Sequence, residues 1–251
     1  MTSGPVDPPV GAVVVAAGTG ERLGAGRPKA LVEVGGVSLV AHAVAALRAA
    51  GIEHVVVVHT PGEAAAFAAA VGDRDVVLVP GGADRSASVR AGLAALPEDI
   101  EVVAVHDAAR AFTPPDVIRA VVAAVVGGGT DPATHDRPAS ASAEAVIAAA
   151  PAVPIADTLK RVDGTYITGT VDRNDVVAVQ TPQVFPTSVL RAAIADEASA
   201  TDDLALVERH LADGRLRGRV VWVPGSSRGL KVTHPEDLTL AEAWAAGVPT
   251  T

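Results

Sequence analysis

The sequence contains no cysteine and very few aromatic residues. Of its 251 residues, 49% are hydrophobic, but 2% are Phe, Trp or Tyr. The absence of Cys excludes disulfide bonds, thiolate catalysis and zinc sites with Cys ligands. Because aromatic side chains are so scarce, the core has to be built from Val, Leu, Ile and Ala. That composition favours parallel strands and helices packed through small residues.

The charge balance and the hydropathy pattern argue against two further classes of protein. With 20 Lys+Arg against 29 Asp+Glu, the formal net charge is −9, which disfavours a general surface for nucleic acid or an anionic membrane. Charged residues and prolines interrupt the apolar stretches before they reach the ~18–20 residues that a membrane helix needs. Met1–Pro9 is Pro-rich and lacks the pattern of a secretory signal, so we expect a cytoplasmic protein.

Short β-branched runs alternate with helical patterns along most of the chain. Strands are expected at 10–16, 54–59, 76–79, 102–105, 145–153, 176–179 and 219–223. Helices are expected at 38–50, up to 71, at 86–96, 115–126, from 201 to about 214, and from 235 to about 247. This alternation predicts an α/β fold: a Rossmann-like, mostly parallel sheet with helices on both faces, formed by one domain that spans 1–251.

Two segments depart from this alternation. The stretch 157–175 is polar and contains the alternating run Thr165–Val171, which predicts a β-ribbon projecting from the main body. The stretch 127–142 is rich in Gly, Pro and Ser, and we expect a flexible loop there. The later helix begins at Thr-Asp-Asp, and Thr201 is the expected N-cap.

Glycine-rich or polar loops follow three of the predicted strands. AAGTGERLGAGRPK (16–29) follows the first strand, GGADRSAS (81–88) the third and HDAAR (106–110) the fourth. Ligands bind beyond the carboxyl ends of the strands in open parallel sheets. We therefore expect these three loops to contribute to one site.

The first loop matches neither of two common nucleotide-binding motifs. A dinucleotide fingerprint requires GxGxxG and an acid about 20 residues later, but the glycines here are Gly18, Gly20 and Gly24, and no acid lies between Val34 and Ile52. A Walker A loop requires Gly-Lys before Ser or Thr, and the chain contains no Gly-Lys dipeptide. Two interpretations stay open: a loop that wraps a nucleoside triphosphate, and a solvated surface turn.

The triphosphate interpretation gives the charged residues of these loops distinct roles. Nucleotidyl transfer builds negative charge on phosphate oxygens, which preplaced cations such as Arg22 and Lys29 could meet. Asp107 suits a metal, held directly or through water, or a substrate hydroxyl; a helix-capping or loop-stabilising Asp is the alternative. Arg110 suits a bidentate phosphate clamp. We expect no functional role for His106, since no plausible partner His or metal cluster accompanies it.

Eight motifs extend this pattern along nearly the whole chain, from Val13 to about Ala245. They are AAGTGERLGAGRPK (16–29), GGADRSASV (81–89), HDAAR (106–110), ADTLKR (156–161), TVDRN (170–174), QTPQVF (180–185), TDD (201–203) and GLKVTHPEDL (229–238). The first motif is shared by many sugar nucleotidyltransferases, whereas HDAAR, TVDRN, TPQ and KVTHPEDL together are much narrower. On these motifs the chain resembles the 2-C-methyl-D-erythritol 4-phosphate cytidylyltransferases of the non-mevalonate isoprenoid pathway.

The resemblance implies a reaction and a cofactor. In that family, the 4-phosphate oxygen of methylerythritol phosphate attacks the α-phosphorus of CTP in line, giving 4-diphosphocytidyl-2-C-methyl-D-erythritol and pyrophosphate. Mg²⁺ is bound chiefly through the nucleotide phosphates, with Asp107 as a tentative ligand. The single domain would then be a nucleotidyltransferase domain.

The matching positions imply a set of site residues. Those expected to act in catalysis are Arg22, Lys29, Arg173 and Lys231. Those expected to line the CTP pocket are Ala16, Ala17, Gly18, Thr19, Gly20, Gly82 and Ser88. Those expected around the methylerythritol phosphate are Asp107, Arg110, Thr158, Arg173, Thr181 and Thr201.

The resemblance also implies a homodimer. In the family, the ribbon at 157–175 is an arm exchanged between two subunits, so Arg173 would complete the site of the neighbouring subunit. Lys160 and Arg161, on the same ribbon, are expected to be solvated. The chain departs from the family in two places: Ala111 stands where Pro is usual, and the loop at 127–142 is longer than usual.

Two alternative functions stay open on the sequence. Ribitol-5-phosphate cytidylyltransferases have a similar fold and similar loops but use another polyol phosphate, and TVDRN with TDD favours methylerythritol phosphate. The second alternative is a catalytically silent nucleotide-binding module. The presence of Arg22, Lys29, Arg173 and Lys231 together argues against it, because a silent binder does not need four cations for a transition state.

Overall fold

The computed structural model describes residues 8–127, 144–195, 200 and 202–247. The strands in these ranges are β1 (Val10–Val15), β2 (Glu33–Val34), β3 (Val37–Ser38), β4 (His54–His59), β5 (Val77–Pro80), β6 (Val102–Asp107), β7 (Val146–Pro154), β8 (Lys160–Asp163), β9 (Tyr166–Thr170), β10 (Val177–Val179), β11 (Gln183–Pro186) and β12 (Arg219–Pro224). The α-helices are α1 (Leu39–Ala49), α2 (Ala64–Val71), α3 (Arg85–Ala94), α4 (Pro115–Val126), α5 (Thr187–Ile194), α6 (Asp203–Ala212) and α7 (Pro235–Ala245).

Eight strands form the main sheet. Seven of them follow the order β10-β7-β11-β6-β1-β4-β5, and the eighth, β12, also pairs with β7. β12 pairs with β7 along the opposite edge from β11, because Ala149 is paired with both Val184 and Val221. β1, β4, β5, β6, β7 and β12 run parallel, whereas β10 and β11 run antiparallel to their neighbours. The prediction of a mostly parallel sheet is therefore confirmed, with strand ends shifted by two residues at most.

The central strands owe their position to continuous Val-rich runs that are buried on both faces. Alternate side chains of β1 enter different cores: Ala12 and Val14 pack with α1, α2 and α4, and Val13 packs with α3, α5 and α6. Such runs are typical of parallel strands covered by helices on each side. The two cores confirm that helices lie on both faces of the sheet.

The packing of α3 on the sheet leaves no space at Gly92. A Cβ added there would lie 2.4 Å from Val13 Cγ1 and 3.0 Å from Val58 Cγ2. The glycine therefore lets α3 approach β1 and β4 more closely than any other residue would allow. This close approach fixes the height of α3, and of the loop before it, above the sheet.

One of the two antiparallel strands, β11, was not predicted from the sequence, whereas β10 corresponds to the strand expected at 176–179. β11 lies between β6 and β7 and pairs with both. Gln183–Pro186 is only four residues long and is preceded by polar residues in the sequence, so it shows no strand pattern. The small β2–β3 hairpin and helix α5 were missed as well. The cap of α6 is corrected: the side chain of Asp202, not Thr201, accepts the hydrogen bond from the backbone N–H of Ala205, at 2.9 Å.

The predicted ribbon is present as a separate two-stranded hairpin of β8 and β9, called the arm below. Three large apolar side chains on it are strongly exposed: Val162 at 63%, Tyr166 at 78% and Ile167 at 67%. Lys160 and Arg161 are exposed, as expected. The loop predicted at 127–142 lies outside the described residues, apart from Gly127.

No helix in the described part of the chain combines the length and the apolarity that crossing a bilayer requires.

His106 is a fully buried titratable residue in the centre of the sheet. It lies in β6, and its Nδ1 is 3.0 Å from the hydroxyl of Thr181. Burial lowers the pKa of His106 from 6.5 to about 4, outweighing the nearby charge of Asp107. The imidazole is therefore neutral in the folded protein at physiological pH.

We expect His106 to make the stability of the protein depend on pH. The unfolded chain takes up this proton near pH 6.5 and the folded chain near pH 4, so the unfolded state binds more protons between these values. The free energy of unfolding should therefore fall as the pH drops from 6.5 towards 4, with a contribution of up to about 1.4 kcal/mol per pH unit.

Urea unfolding of the wild type and of His106→Asn, repeated from pH 7 to pH 4.5, measures this contribution. The variant should show a smaller loss of stability over the interval, and His54→Asn, at the exposed start of β4, should behave as the wild type. Identical pH slopes for the wild type and His106→Asn would contradict the prediction.

Candidate active site

A cavity of about 360 Å³ opens beyond the carboxyl ends of β1 and β6, where the loops predicted to bind a ligand meet. Its lining residues are Val15, Ala16, Ala17, Gly18, Thr19, Lys29, Ala30, Gly82, Ala83, Asp84, Arg85, Ser88, Asp107, Ala108, Ala109 and Lys231. All three predicted loops contribute to it. Its position agrees with the rule that open parallel sheets bind ligands at this edge.

The first loop folds back on itself so that Lys29 enters the cavity. Gly20 has a positive φ of 75°, and a Cβ added there would lie 2.6 Å from the Cβ of Lys29. Only glycine allows the two ends of the loop to approach so closely in that conformation. Of the residues of this loop that were predicted to line the CTP pocket, Ala16, Ala17, Gly18 and Thr19 line the cavity, whereas Gly20 forms the tight turn and does not line it.

The second loop is held together by Ser88 and Asp84 at the start of α3. The hydroxyl of Ser88 accepts a hydrogen bond from Gly82 N–H at 3.1 Å and donates one to the carbonyl of Asp84 at 2.9 Å. The carboxylate of Asp84 caps α3 by accepting from Ala87 N–H at 2.7 Å. A Cβ added at Gly82 would lie 2.5 Å from the Cβ of Ala87, so this turn also requires a glycine.

Asp107 lies at the base of the cavity between two cations. Its Oδ2 is 2.7 Å from Lys231 Nζ, and its Oδ1 is 3.6 Å from a guanidinium nitrogen of Arg85. Burial opposes the ionisation of Asp107, but Lys231 and Arg85 outweigh it and lower the pKa of the carboxyl group to about 2. Asp107 is therefore an anion at any physiological pH.

Arg85 joins the second loop to the helix that follows TDD. Its guanidinium donates a hydrogen bond to Asp203 Oδ2 at 2.6 Å, and the side chain of Asp203 is completely buried. The backbone N–H groups of Asp203 and Leu204 both donate to Gln183 Oε1, at 3.0 and 3.2 Å. Arg85 and Asp203 were not predicted as site residues, although each lies in a motif that was singled out.

Lys29 and Lys231 line this cavity, and the exposed Arg22 lies near Lys29. Burial lowers the pKa of Lys29, and the positive charges of Lys231 and Arg22 lower it further, while Asp107 opposes them. Such mutual influence requires the three cations to lie close together. The structure thus unites on one cavity side chains that are separated by about two hundred positions in the sequence.

Arg110 and Thr181 do not line the cavity but contact segments that do. Arg110 donates hydrogen bonds to the carbonyls of Gly229, at 2.7 Å, and Val179, at 3.3 Å. The hydroxyl of Thr181 accepts a hydrogen bond from the backbone N–H of Asp107 at 3.0 Å. In this conformation, Arg110, which was predicted to clamp a phosphate, binds the main chain of two neighbouring segments instead.

A small apolar cluster sits beneath the cation-bearing loops and is separate from the two main cores. Leu23, Ala111 and Val232 are buried in it, and each directly follows a cation, namely Arg22, Arg110 or Lys231. The remaining members, including residues of β2, α1 and α7, are Val32, Val34, Leu39, Phe112, Leu238 and Ala241. Ala111, which stands where the family usually has Pro, is thus part of this packing.

Two further predicted site residues, on the flanks of the arm, are not brought to the cavity by the described part of one chain. Thr158 and Arg173 flank the arm and are exposed, and Arg173 donates a hydrogen bond to the carbonyl of Ala156 at 2.7 Å. Thr201 lies outside the described residues.

The arrangement around Asp107 does not fit a resident metal site. Both carboxylate oxygens face cationic side chains, and the described residues contain no group of three or more His, Cys, Asp or Glu that could hold a metal ion. A metal carried by a polyphosphate requires at most one or two protein carboxylates. The chemistry of the cavity therefore suits a polyphosphate together with its own counter-ion.

Comparisons with known proteins show the family to which the chain belongs. Residues 10–246 match the family model described as 2-C-methyl-D-erythritol 4-phosphate cytidylyltransferase. A protein of that name from Saccharopolyspora erythraea is 47% identical over 240 residues, which are 92% of this chain and 97% of the relative. A bifunctional enzyme IspD/IspF from Clavibacter michiganensis subsp. michiganensis is 46% identical over 248 residues; they are 95% of this chain, which spans 55% of that relative.

A solved structure supports the same relationship at the level of the fold. The crystal structure of 2-C-methyl-D-erythritol 4-phosphate cytidylyltransferase from Thermus thermophilus is similar with a TM-score of 0.67 and 33% sequence identity. The similarity covers 94% of this chain and 98% of that one. The chain belongs to the 2-C-methyl-D-erythritol 4-phosphate cytidylyltransferase family.

Proposed function

We propose that this protein is a cytidylyltransferase that transfers CMP from CTP to 2-C-methyl-D-erythritol 4-phosphate, giving the cytidine-diphosphate product and pyrophosphate. The observation that carries the proposal is that Lys29 and Lys231 line one cavity between two glycine-dependent loops, with Arg22 close enough to lower the pKa of Lys29. Two phosphate-bearing anions have to meet in this reaction on a protein of net charge −9. A local cluster of cations is the feature that permits this meeting.

The residues of the cavity supply positioning and electrostatic stabilisation. A phosphate monoester is already a competent nucleophile near neutral pH, so the site needs no general base to activate it. In our proposal, Lys29 and Arg22 face the charge that develops on the triphosphate. The ammonium group of Lys231 moves partly away from Asp107 and contacts the reacting phosphates. Asp107 orients a hydroxyl of the polyol.

Enzymes of this family use a divalent cation, and we propose that it is Mg²⁺ bound to CTP. When bound, the cation neutralises charge on the phosphate oxygens. The residues that would surround the phosphates and this cation are Asp107 and Ala16–Thr19, which line the cavity.

We also propose that the arm makes the protein a homodimer. The arm exposes three large apolar side chains to water, those of Val162, Tyr166 and Ile167, which is unfavourable. Burial against a second subunit would remove this unfavourable exposure. Arg173 and Thr158, on the flanks of the arm, would then reach the cavity of the other subunit. In this proposal 1–251 is one nucleotidyltransferase domain with a 157–175 subdomain, working in the cytoplasm where CTP is available.

We expect substrate specificity to separate the proposed activity from its closest alternative. Pyrophosphate release should require CTP and 2-C-methyl-D-erythritol 4-phosphate together, with a lower kcat/KM for ATP, GTP or UTP. Ribitol 5-phosphate in place of methylerythritol phosphate should give a far smaller kcat/KM. Preference for ribitol 5-phosphate would assign the protein to the other cytidylyltransferase class, and nucleotide binding without turnover would indicate a silent module.

We expect Lys29→Ala to lower kcat by on the order of 10², as for the loss of one preorganised donor to a developing oxyanion. Steady-state assays at saturating CTP and polyol phosphate measure the effect. Lys160→Ala is the matched control, because Lys160 is an exposed lysine on the arm that hydrogen-bonds to Thr170 at 2.7 Å, within the same hairpin. Wild-type turnover by Lys29→Ala would rule out the proposed role.

We expect Arg173 to act on the site of the other subunit, which complementation can measure. Arg173→Ala and Lys29→Ala should each be nearly inactive as homodimers. In a mixed dimer, the cavity of the Arg173→Ala subunit keeps Lys29 and receives an intact arm, so a random mixture should regain about a quarter of wild-type activity. If the arm served its own subunit, the mixture would stay inactive; a monomer in sedimentation analysis that retained activity would also contradict the proposal.

A further inference from the structure

Residues 225–231, the first part of the segment between β12 and α7, carry Lys231 to the cavity. They are called the late loop below. Gly229 is buried within it, and Lys231 reaches Asp107 at 2.7 Å from its far end. A loop of this length gives a lysine at its end no fixed position by itself. The position of Lys231 must therefore be set by contacts between the late loop and the rest of the fold.

Gln180 makes such a contact with the late loop. Its side-chain Nε2 donates a hydrogen bond to the carbonyl of Ser226 at 2.8 Å, and its Oε1 accepts one from the N–H of Ser226 at 3.2 Å. The amide thus satisfies both main-chain groups of one residue, as a neighbouring strand would do. Gln180 is 5% exposed, so water competes little for these two hydrogen bonds.

The fit between Gln180 and the late loop is tight on two sides. A Cβ added at Gly225 or at Gly229 would lie 2.6 Å from Gln180 Oε1. Both glycines have ordinary negative or extended backbone angles, so space, rather than conformation, requires them here. The late loop is therefore shaped around this amide.

Gln180 is itself anchored to the sheet. Its backbone N–H donates to the carbonyl of Pro151 in β7 at 2.7 Å, and Gly225 N–H donates to the carbonyl of Ala152 at 2.7 Å. At the other end of the late loop, the guanidinium of Arg110 holds the carbonyl of Gly229 at 2.7 Å. A continuous path of hydrogen bonds therefore leads from β7 through Gln180 to the loop that bears Lys231.

We propose that Gln180 is a positioning residue for the transfer reaction and acts through Lys231. Its amide holds the late loop at the height from which Lys231 reaches the reacting phosphates, and it has no contact with substrate. The proposal rests on the proposed function for its kinetic consequence, whereas the hold of Gln180 on the late loop exists without any substrate.

A double-mutant cycle tests whether Gln180 acts through Lys231. Gln180→Leu has a similar volume and removes both hydrogen bonds to Ser226. It should lower kcat/KM for the polyol phosphate about tenfold, since small misplacements of a catalytic group cost this much or more. In a Lys231→Ala background the same change should cost less than about twofold, because the residue it positions is already absent.

Ser227→Ala is the matched control, as Ser227 has an exposed side chain in the same loop, and it should keep wild-type kinetics. Gly229→Ala gives an independent route to the same result, because its Cβ would push against the Gln180 amide. It serves as the test variant if Gln180→Leu does not fold. Equal losses in the wild-type and Lys231→Ala backgrounds, or no loss in either, would overturn the proposal.

Hydrogen exchange on the ligand-free protein separates this proposal from the proposed function. The N–H of Ser226 should exchange faster in Gln180→Leu than in the wild type, with unchanged exchange in β1 and β4. Unchanged protection of Ser226 would overturn the proposal whatever the enzyme's substrate is. Faster exchange in the variant, combined with a wild type that transfers no CMP, would leave the hold on the late loop intact and refute the proposed function.

Discussion

Mutual repulsion between closely spaced cations is the constraint on which the rest of the site depends. Lys29, Lys231 and Arg22 lie near one another, and burial and this repulsion together lower the pKa of Lys29. Asp107 offsets part of the repulsion because it stays ionised and pairs with Lys231 at 2.7 Å. The positive charge that Asp107 does not offset favours the binding of polyanions in the cavity. The fold creates this charge before any substrate arrives.

Holding cations together against their repulsion requires support from several directions. The small apolar cluster anchors the residues that follow Arg22, Arg110 and Lys231, and α7 closes it from below. Polar contacts fix the loops further. Gln180 holds the late loop through hydrogen bonds, and Arg85 forms an ion pair with Asp107 and a hydrogen bond to the buried Asp203. The cations and the residues that support them are thus neighbours in the same short motifs.

Local patterns in the sequence predicted the parts of this molecule that local physics determines. Val-rich runs revealed the parallel strands, and glycine-rich loops at their ends located the cavity around Lys29 and Asp107. The pattern could not reveal β11, which is a strand only because β6 and β7 offer it hydrogen bonds on both edges. Nor could it reveal the pair of Arg85 and Asp203, since 118 positions separate them and each also fits an ordinary role at a helix start.

The tight seat of Gly92 has an evolutionary consequence. Since a methyl group there would meet Val13 at 2.4 Å, a larger residue at position 92 can be accepted only if the strand side chain opposite becomes smaller. Positions 92 and 13 are therefore expected to vary together among homologues or not at all. The same restriction applies to the loop before α3, because any shift of the helix would move Gly82 and Ser88 out of the cavity wall.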